Sequence, residues 1–206
     1  MEKLIHKSER IFVAGASGMV GSAVTRRLLK KGYGLKSNGG EILTPSSKEL
    51  NLKNRDQVKE WFRINNPSVV ILAAAKVGGI LANSSQPVDF LLKNLKIQIN
   101  VIETAYEFKV KRFLFLGSSC IYPKNSPQPI KEEHLLTGPL ETTNQWYALA
   151  KITGLKLCEA LRIEKNFDAI TLMPTNLYGP GDNYDYKNSH VFAAFIRRFY
   201  EAKIEL

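Results

Sequence analysis

Apolar positions recur along this chain with two periods, and the order in which those periods follow one another indicates the fold class. Residues 10–15 (RIFVAG) form a short apolar run ending in glycine, and Val20, Ala23, Val24 and Leu28 then recur at helical spacing. Strand, tight turn and helix are therefore predicted in succession. Gly32 is placed to end this helix as a C-terminal cap, and the polar, glycine-rich 33–40 reads as a loop before a brief strand at 41–44. A short element is expected at 50–52. Asn54 followed by Gln57 is capping-box chemistry for a helix reaching about residue 64, which Asn66 and Pro67 stop. The continuous apolar run 69–75 has the character of a strand covered on both faces of a parallel sheet. Pro87 suits the first turn of a long amphipathic helix extending to Phe108. Residues 113–117 (FLFLG) read as another buried strand, 147–165 as a long helix capped at Asn166, and 169–173 as a sixth strand. This β-α-β order predicts an α/β, Rossmann-type doubly wound parallel sheet, with ligands at the carboxyl ends of its strands.

Composition narrows the class. A chain of 206 residues suits one domain, or one with a fragment of a second. With 44% hydrophobic and 23% charged residues it is not a disordered chain, and neither a collagen period nor a repeat unit recurs. Two cysteines cannot form a disulfide framework, and the first residues lack the apolar core of a signal peptide, so a cytoplasmic protein is expected. The longest apolar run, 69–75, is far shorter than the roughly 20 residues that span a bilayer. The net charge of +10 favours an anionic partner. Its basic residues, however, sit in small groups at helical stretches (Arg26, Arg27, Lys30 and Lys31; Lys109, Lys111 and Arg112; Arg197 and Arg198) and read as solvated faces. No interleaved aromatic and basic motif marks a nucleic-acid binder.

Three segments carry candidate chemistry. Gly15, Gly18 and Gly21, with Ser17, Met19 and Val20 between them, form G-x-x-G-x-x-G at the first strand-helix turn. There the backbone approaches a pyrophosphate and the helix N-terminus supplies free N–H groups. The end of the second strand, which selects between a ribose 2′-OH and a 2′-phosphate, shows no acid over 43–48. Lys48, with the hydroxyls of Ser46 and Ser47, tilts the cofactor towards NADP. Tyr147 and Lys151 stand one helical turn apart, so that a cation can stabilise a phenolate. Ser118, Ser119 and Cys120 follow the 113–117 strand, and continued extension would turn Ser118 and Cys120 towards one pocket. Cys120 is a candidate base or a small buried hydrophobe. Cys158 shares the Tyr147 stripe but is displaced by about 16 Å along the helix, and is assigned to packing. No cluster has metal-ligand spacing.

Together these motifs are specific. GASGMVGSA (15–23), LAAAKVGGI (72–80), LGSSCIYP (116–123), YALAK (147–151), MPTNLYGPGDN (173–183) and NSHV (188–191) resemble the GDP-L-fucose synthases of the extended short-chain dehydrogenase/reductase superfamily. The resemblance implies an enzyme that epimerises C3 and C5 of GDP-4-keto-6-deoxy-D-mannose and reduces C4 with NADP(H). It implies Ser118, Tyr147 and Lys151 as the reductase triad, Cys120 as epimerisation base and His190 as acid. It places Ala73, Ala74, Ala75, Pro174, Asn176, Leu177 and His190 against the cofactor, and Ser118, Ser119, Cys120, Asn176 and Arg198 against the sugar nucleotide. It also implies a homodimer through the helices at 87–108 and 147–165. The chain departs from the pattern at Ser17, where the family has a basic residue, and at Ser46 and Ser47, where it has arginine. Trp146 stands in place of the usual proline, and the sequence stops at Leu206, inside an expected helix, so the C-terminal substrate domain is expected to be largely absent. The alternatives are another nucleotide-sugar epimerase or dehydratase, or a dinucleotide-binding module without turnover.

Overall fold

In the computed structural model, which describes residues 5–186 and 189–205, five short strands form a single parallel sheet. They are β1 (Arg10–Ala14), β2 (Glu41–Leu43), β3 (Val69–Leu72), β4 (Arg112–Leu116) and β5 (Ala169–Leu172), in the spatial order β2-β1-β3-β4-β5. The helices are α1 (Met19–Lys30), α2 (Arg55–Asn65), α3 (Ile80–Ser85), α4 (Asn94–Glu107), α5 (Gln145–Lys165) and α6 (Val191–Ile204).

Register explains the core. Leu43, Phe12, Val70, Phe113 and Ala169 are successive partners across the five strands, and all five are buried. Because alternate residues of a strand face opposite ways, this row points to one side. There it packs against Val58 and Phe62 of α2, Val101 and Ile102 of α4 and Cys158 of α5. Ile11, Val13, Val69 and Ile71 face the other side, where Val24 and Leu28 of α1 cover them. Helices on both faces of a parallel sheet make the fold Rossmann-like and doubly wound. No helix among the described residues is long and apolar enough to cross a membrane.

Three sequence expectations change. Leu50 is buried, but residues 50–52 form no strand, because the Glu49 and Leu50 amides both turn back to the Ser46 carbonyl and leave none for a ladder. The sheet therefore has five strands, not six. The helix expected over 87–108 contains a π-helical segment, Asp89–Lys93, before α4 begins, and α3 precedes it without a clear apolar period. The β4 run is buried only at Phe113 and Phe115, since α1 does not extend over Leu114 and Leu116 or over Ile170 and Leu172 of β5.

Phe62 meets Phe12 edge-on, with ring centroids 5.7 Å apart, inside the larger core. Phe62→Ala is expected to lower unfolding free energy in urea by about 3–5 kcal/mol, whereas Ile163→Ala on the exposed face of α5 should change it by less than about 0.5 kcal/mol.

Candidate active site

β1 and β3 lie side by side, yet the chain leaves β1 towards β2 and leaves β3 towards β4, which opens a crevice at their carboxyl ends. The first glycine turn fills the rim of that crevice. Gly15 has φ +85°, and a Cβ there would stand 2.7 Å from the Ala74 backbone nitrogen. A Cβ on Gly21 would stand 2.1 Å from the Gly15 carbonyl oxygen. Only glycine lets this turn lie against residues 73–75, where the Ala73 N–H also donates to the Ala14 carbonyl at 2.9 Å. Gly18 caps α1 in extended conformation with no side chain bonded to the first helical amides. Those amides and the positive end of the helix dipole face outward beside the exposed Ser17. This arrangement fits the phosphates of a dinucleotide.

At β4 the chain does something the alternation argument missed. Ser118 is extended, but Ser119–Ile121 is a 3-10 turn that begins with the Cys120 N–H donating to the Ser118 hydroxyl at 3.3 Å. The turn is fixed to the exit of β5, since the Gly117 N–H donates to the Leu172 carbonyl at 2.8 Å and the Ser119 N–H to the Pro174 carbonyl at 3.1 Å. Ser118 and Cys120 still meet one phenol. The Tyr147 phenol lies close enough to the Ser118 hydroxyl and the Cys120 sulfur for both to influence its ionisation. The turn, rather than a continued strand, brings them together.

Lys151, one turn beyond Tyr147, is 4% exposed. Its Nζ donates to the Leu116 carbonyl at 2.7 Å and lies 4.8 Å from the Phe115 ring centroid and 5.7 Å from that of Tyr147. Burial lowers its pKa to about 8. The Tyr147 phenol moves the other way: desolvation, then the nearby Cys120, push it well above the ordinary value against the opposing Ser118 hydroxyl. The sequence reading expected Lys151 to lower it. In the structure the ammonium is turned to the Leu116 carbonyl, and desolvation of the phenol wins.

One supporting residue carried no sequence signal. The Gln98 side-chain amide donates to the Ala150 carbonyl of α5 inside the core. Gly154 on the same helix lets Phe115 and Gln98 approach, since a Cβ there would stand 2.6 Å from the Phe115 ring and 2.9 Å from the Gln98 amide. Together they set the depth of α5 against β4. A polar residue on a buried helix face reads in sequence simply as an interruption of the apolar stripe.

The remaining predicted residues are spread more widely. Leu177 joins Tyr178 in closing an apolar groove of about 430 Å³ over Met19 and Val20 of α1. Asn176 and Arg198 are exposed, as is His190, which caps the N-terminus of α6. No hydrogen bond or ion pair joins His190 to Ser118, Cys120, Tyr147 or Lys151 among the described residues, and Asn188 lies outside those residues. Ser189 lies against Gly79, where a Cβ would stand 2.9 Å from the Ser189 carbonyl oxygen. Lys48 is exposed beyond the end of β2. Cys158 lies in the core, and burial pushes its thiol up to about 12. Nothing in the structure explains Trp146.

Residues 11–206 match the family described as the NAD dependent epimerase/dehydratase family. The chain is 54% identical over 198 residues to GDP-L-fucose synthase 1 of Arabidopsis thaliana, covering 96% of this chain and 59% of that protein. It is 48% identical over 194 residues to GDP-L-fucose synthase of Escherichia coli (strain K12), covering 94% of this chain and 59% of that protein. Among solved structures, a GDP-L-fucose synthetase from Naegleria fowleri bound to NADP superposes with a TM-score of 0.83 at 30% identity, over 98% of this chain and 64% of that one. The chain thus spans about 59% of the length of these curated relatives.

In protein carrying 13Cε-labelled lysine, the Lys151 resonance is expected to titrate with a midpoint near pH 8 and to vanish in Lys151→Arg. An ordinary solvated lysine titrates near about pH 10.4.

Proposed function

The chain belongs to the NAD dependent epimerase/dehydratase family, and from that premise we propose that it binds NADPH and converts GDP-4-keto-6-deoxy-D-mannose to GDP-L-fucose, inverting C3 and C5 and then reducing C4. The observation that carries this reading is the meeting of Ser118, Cys120 and Tyr147 at the carboxyl edge of the sheet, one turn from the buried Lys151.

Hydrogens on C3 and C5 of a 4-ketosugar are both α to the same carbonyl, so one oxyanion site serves both inversions. Ser118 and Tyr147 offer hydroxyl donors to that oxygen as negative charge develops on it. The Cys120 thiolate takes the proton from carbon, and His190, at the head of α6, is the proposed acid that returns a proton on the opposite face. Tyr147 and Cys120 divide the work electrostatically: negative charge on Cys120 disfavours phenolate beside it, so the phenol keeps its proton when the thiolate acts as base. A phenol held above its ordinary pKa is the form needed in the last step, where it gives its proton to the C4 oxygen. NADPH, when bound, supplies the hydride to C4. The Lys151 ammonium then lies beside the phenolate left behind. Dependence on a free thiol fits a reducing compartment, and we assign the protein to the cytoplasm. Exposed Ile99 on α4 and Leu149 on α5 support a homodimer through these helices, which light scattering tests against the monomer mass.

Two variants separate the chemical steps. Cys120→Ser is expected to slow solvent-deuterium incorporation at C3 and C5 by about 10²–10⁴-fold, as for loss of a general base. Tyr147→Phe should slow NADPH oxidation by a similar factor while NADPH fluorescence titration shows unchanged affinity. Wild-type protein that binds NADPH but neither exchanges deuterium nor oxidises NADPH with the ketosugar would overturn the proposed activity.

A further inference from the structure

A cleft of about 350 Å³ lies between the N-terminal half of α1 and the end of β2, and its walls include Ser17, Ser22, Arg26, Thr44 and Ser46. It adjoins the glycine turn through Ser17, so a ribose attached to a phosphate held at α1 would reach it. The donors left free in this cleft are few. The Ser22 hydroxyl donates to the Met19 carbonyl at 3.0 Å, and the Thr25 hydroxyl beside it donates to the Gly21 carbonyl at 2.9 Å. The Ser46 N–H donates to the Glu49 carboxylate at 2.7 Å, while the Ser46 hydroxyl accepts from the Glu49 N–H at 3.4 Å and also faces the Glu49 carboxylate, which it helps to hold ionised. What remains for an anion is the hydroxyls of Ser17 and Thr44 and one cation, Arg26.

Arg26 stands one turn after Ser22 on α1, is exposed, and makes no ion pair or hydrogen bond among the described residues. Its guanidinium therefore needs no partner to be broken before it grips a ligand, and its planar donor fork matches phosphate oxygens. Lys48, the residue first expected in this role, does not line the cleft. Resting on the dinucleotide reading above, we propose that Arg26, with the hydroxyls of Ser17 and Thr44, forms the subsite for the adenosine 2′-phosphate and sets a preference for NADP(H) over NAD(H). The cation is thus supplied from the second turn of α1, although neither the glycine loop nor the end of β2 carries one over the cleft. Glu49 is the opposing influence. It lies six residues beyond the end of β2 and outside the cleft lining, and the Ser46 amide holds its carboxylate in a local turn.

The test is a set of titrations on the 206-residue chain, read by the fluorescence of NADPH and NADH and by calorimetry with 2′,5′-ADP and 5′-AMP. Wild-type protein should bind NADPH more tightly than NADH and 2′,5′-ADP more tightly than 5′-AMP. Arg26→Ala should weaken NADPH and 2′,5′-ADP by about ten- to hundred-fold, the range for a lost charged hydrogen bond, and leave NADH and 5′-AMP within about twofold. Arg26→Lys should restore part of the difference. Equal weakening of NADPH and NADH in Arg26→Ala would overturn the assignment, as would a preference that survives Arg26→Ala and is lost in Lys48→Ala. Tighter wild-type binding of NADH than NADPH would overturn it in favour of Glu49 as the ribose acceptor. Binding of neither dinucleotide would instead overturn the dinucleotide reading itself, and this proposal with it.

Discussion

A buried ammonium on the catalytic-type helix, bonded to the last carbonyl of a central strand, is the contact on which the geometry of this site depends. Lys151 ties α5 to Leu116 at the end of β4 and lies over the rings of Phe115 and Tyr147. Taking that charge out of water is unfavourable, as its lowered pKa of about 8 records. Between pH 8 and the ordinary lysine value the unfolded chain binds the proton that the folded chain has released, so this group makes folding more favourable as pH rises through that window. At neutral pH the fold retains a buried charge that weakens it. The hydrogen bond and aromatic faces offset part of that cost, and the result is a fixed distance between helix and strand.

That fixed distance sets the acid-base character of the site. Tyr147 is carried down with Lys151 into the same desolvated wall, which raises its pKa, while the 3-10 turn after β4 brings Ser118 and Cys120 up to meet it. A phenol that stays protonated beside a thiol suits a reaction in which one group removes protons from carbon and the other donates a proton to oxygen. The electrostatics of the pair therefore support a two-stage use of one carbonyl better than a permanent phenolate would. Gln98 and Gly154 contribute by fixing how deeply α5 sits, although neither meets the reacting groups.

The opposite half of the crevice rests on a steric constraint instead. Gly15 and Gly21 lack the atoms that would collide with Ala74 and with the Gly15 carbonyl, so β1, α1 and the exit of β3 close to backbone contact. This contact aims the free amides of α1 at the crevice and places Ser17 and Arg26 beside the end of β2. The two halves of the site are therefore joined through the sheet, with β3 between them, and their spacing follows from strand register.

The sequence by itself determined the order of strands and helices, the parallel class of the sheet and the positions of the glycine turn and the Tyr147–Lys151 pair. Each of these is written in local periodicity or in a short motif whose residues are neighbours along the chain. Tertiary structure alone decided what depends on residues far apart in sequence. Leu50 looked like part of a strand because it is apolar, but its fate was set by where its amide found an acceptor. FLFLG looked buried on both faces, but which face is covered depends on how far α1 extends across the sheet. The direction of the Tyr147 shift was missed for the same reason: a spacing of four places a cation near a phenol, but only the folded chain shows that the cation turns to Leu116 and that desolvation outweighs it. Arg26 was read as part of a solvated helix face, and only the packing of α1 against the end of β2 turns that face towards a cleft. Periodicity records which way a residue faces on its own element, whereas burial, charge pairing and access are properties of the elements it meets.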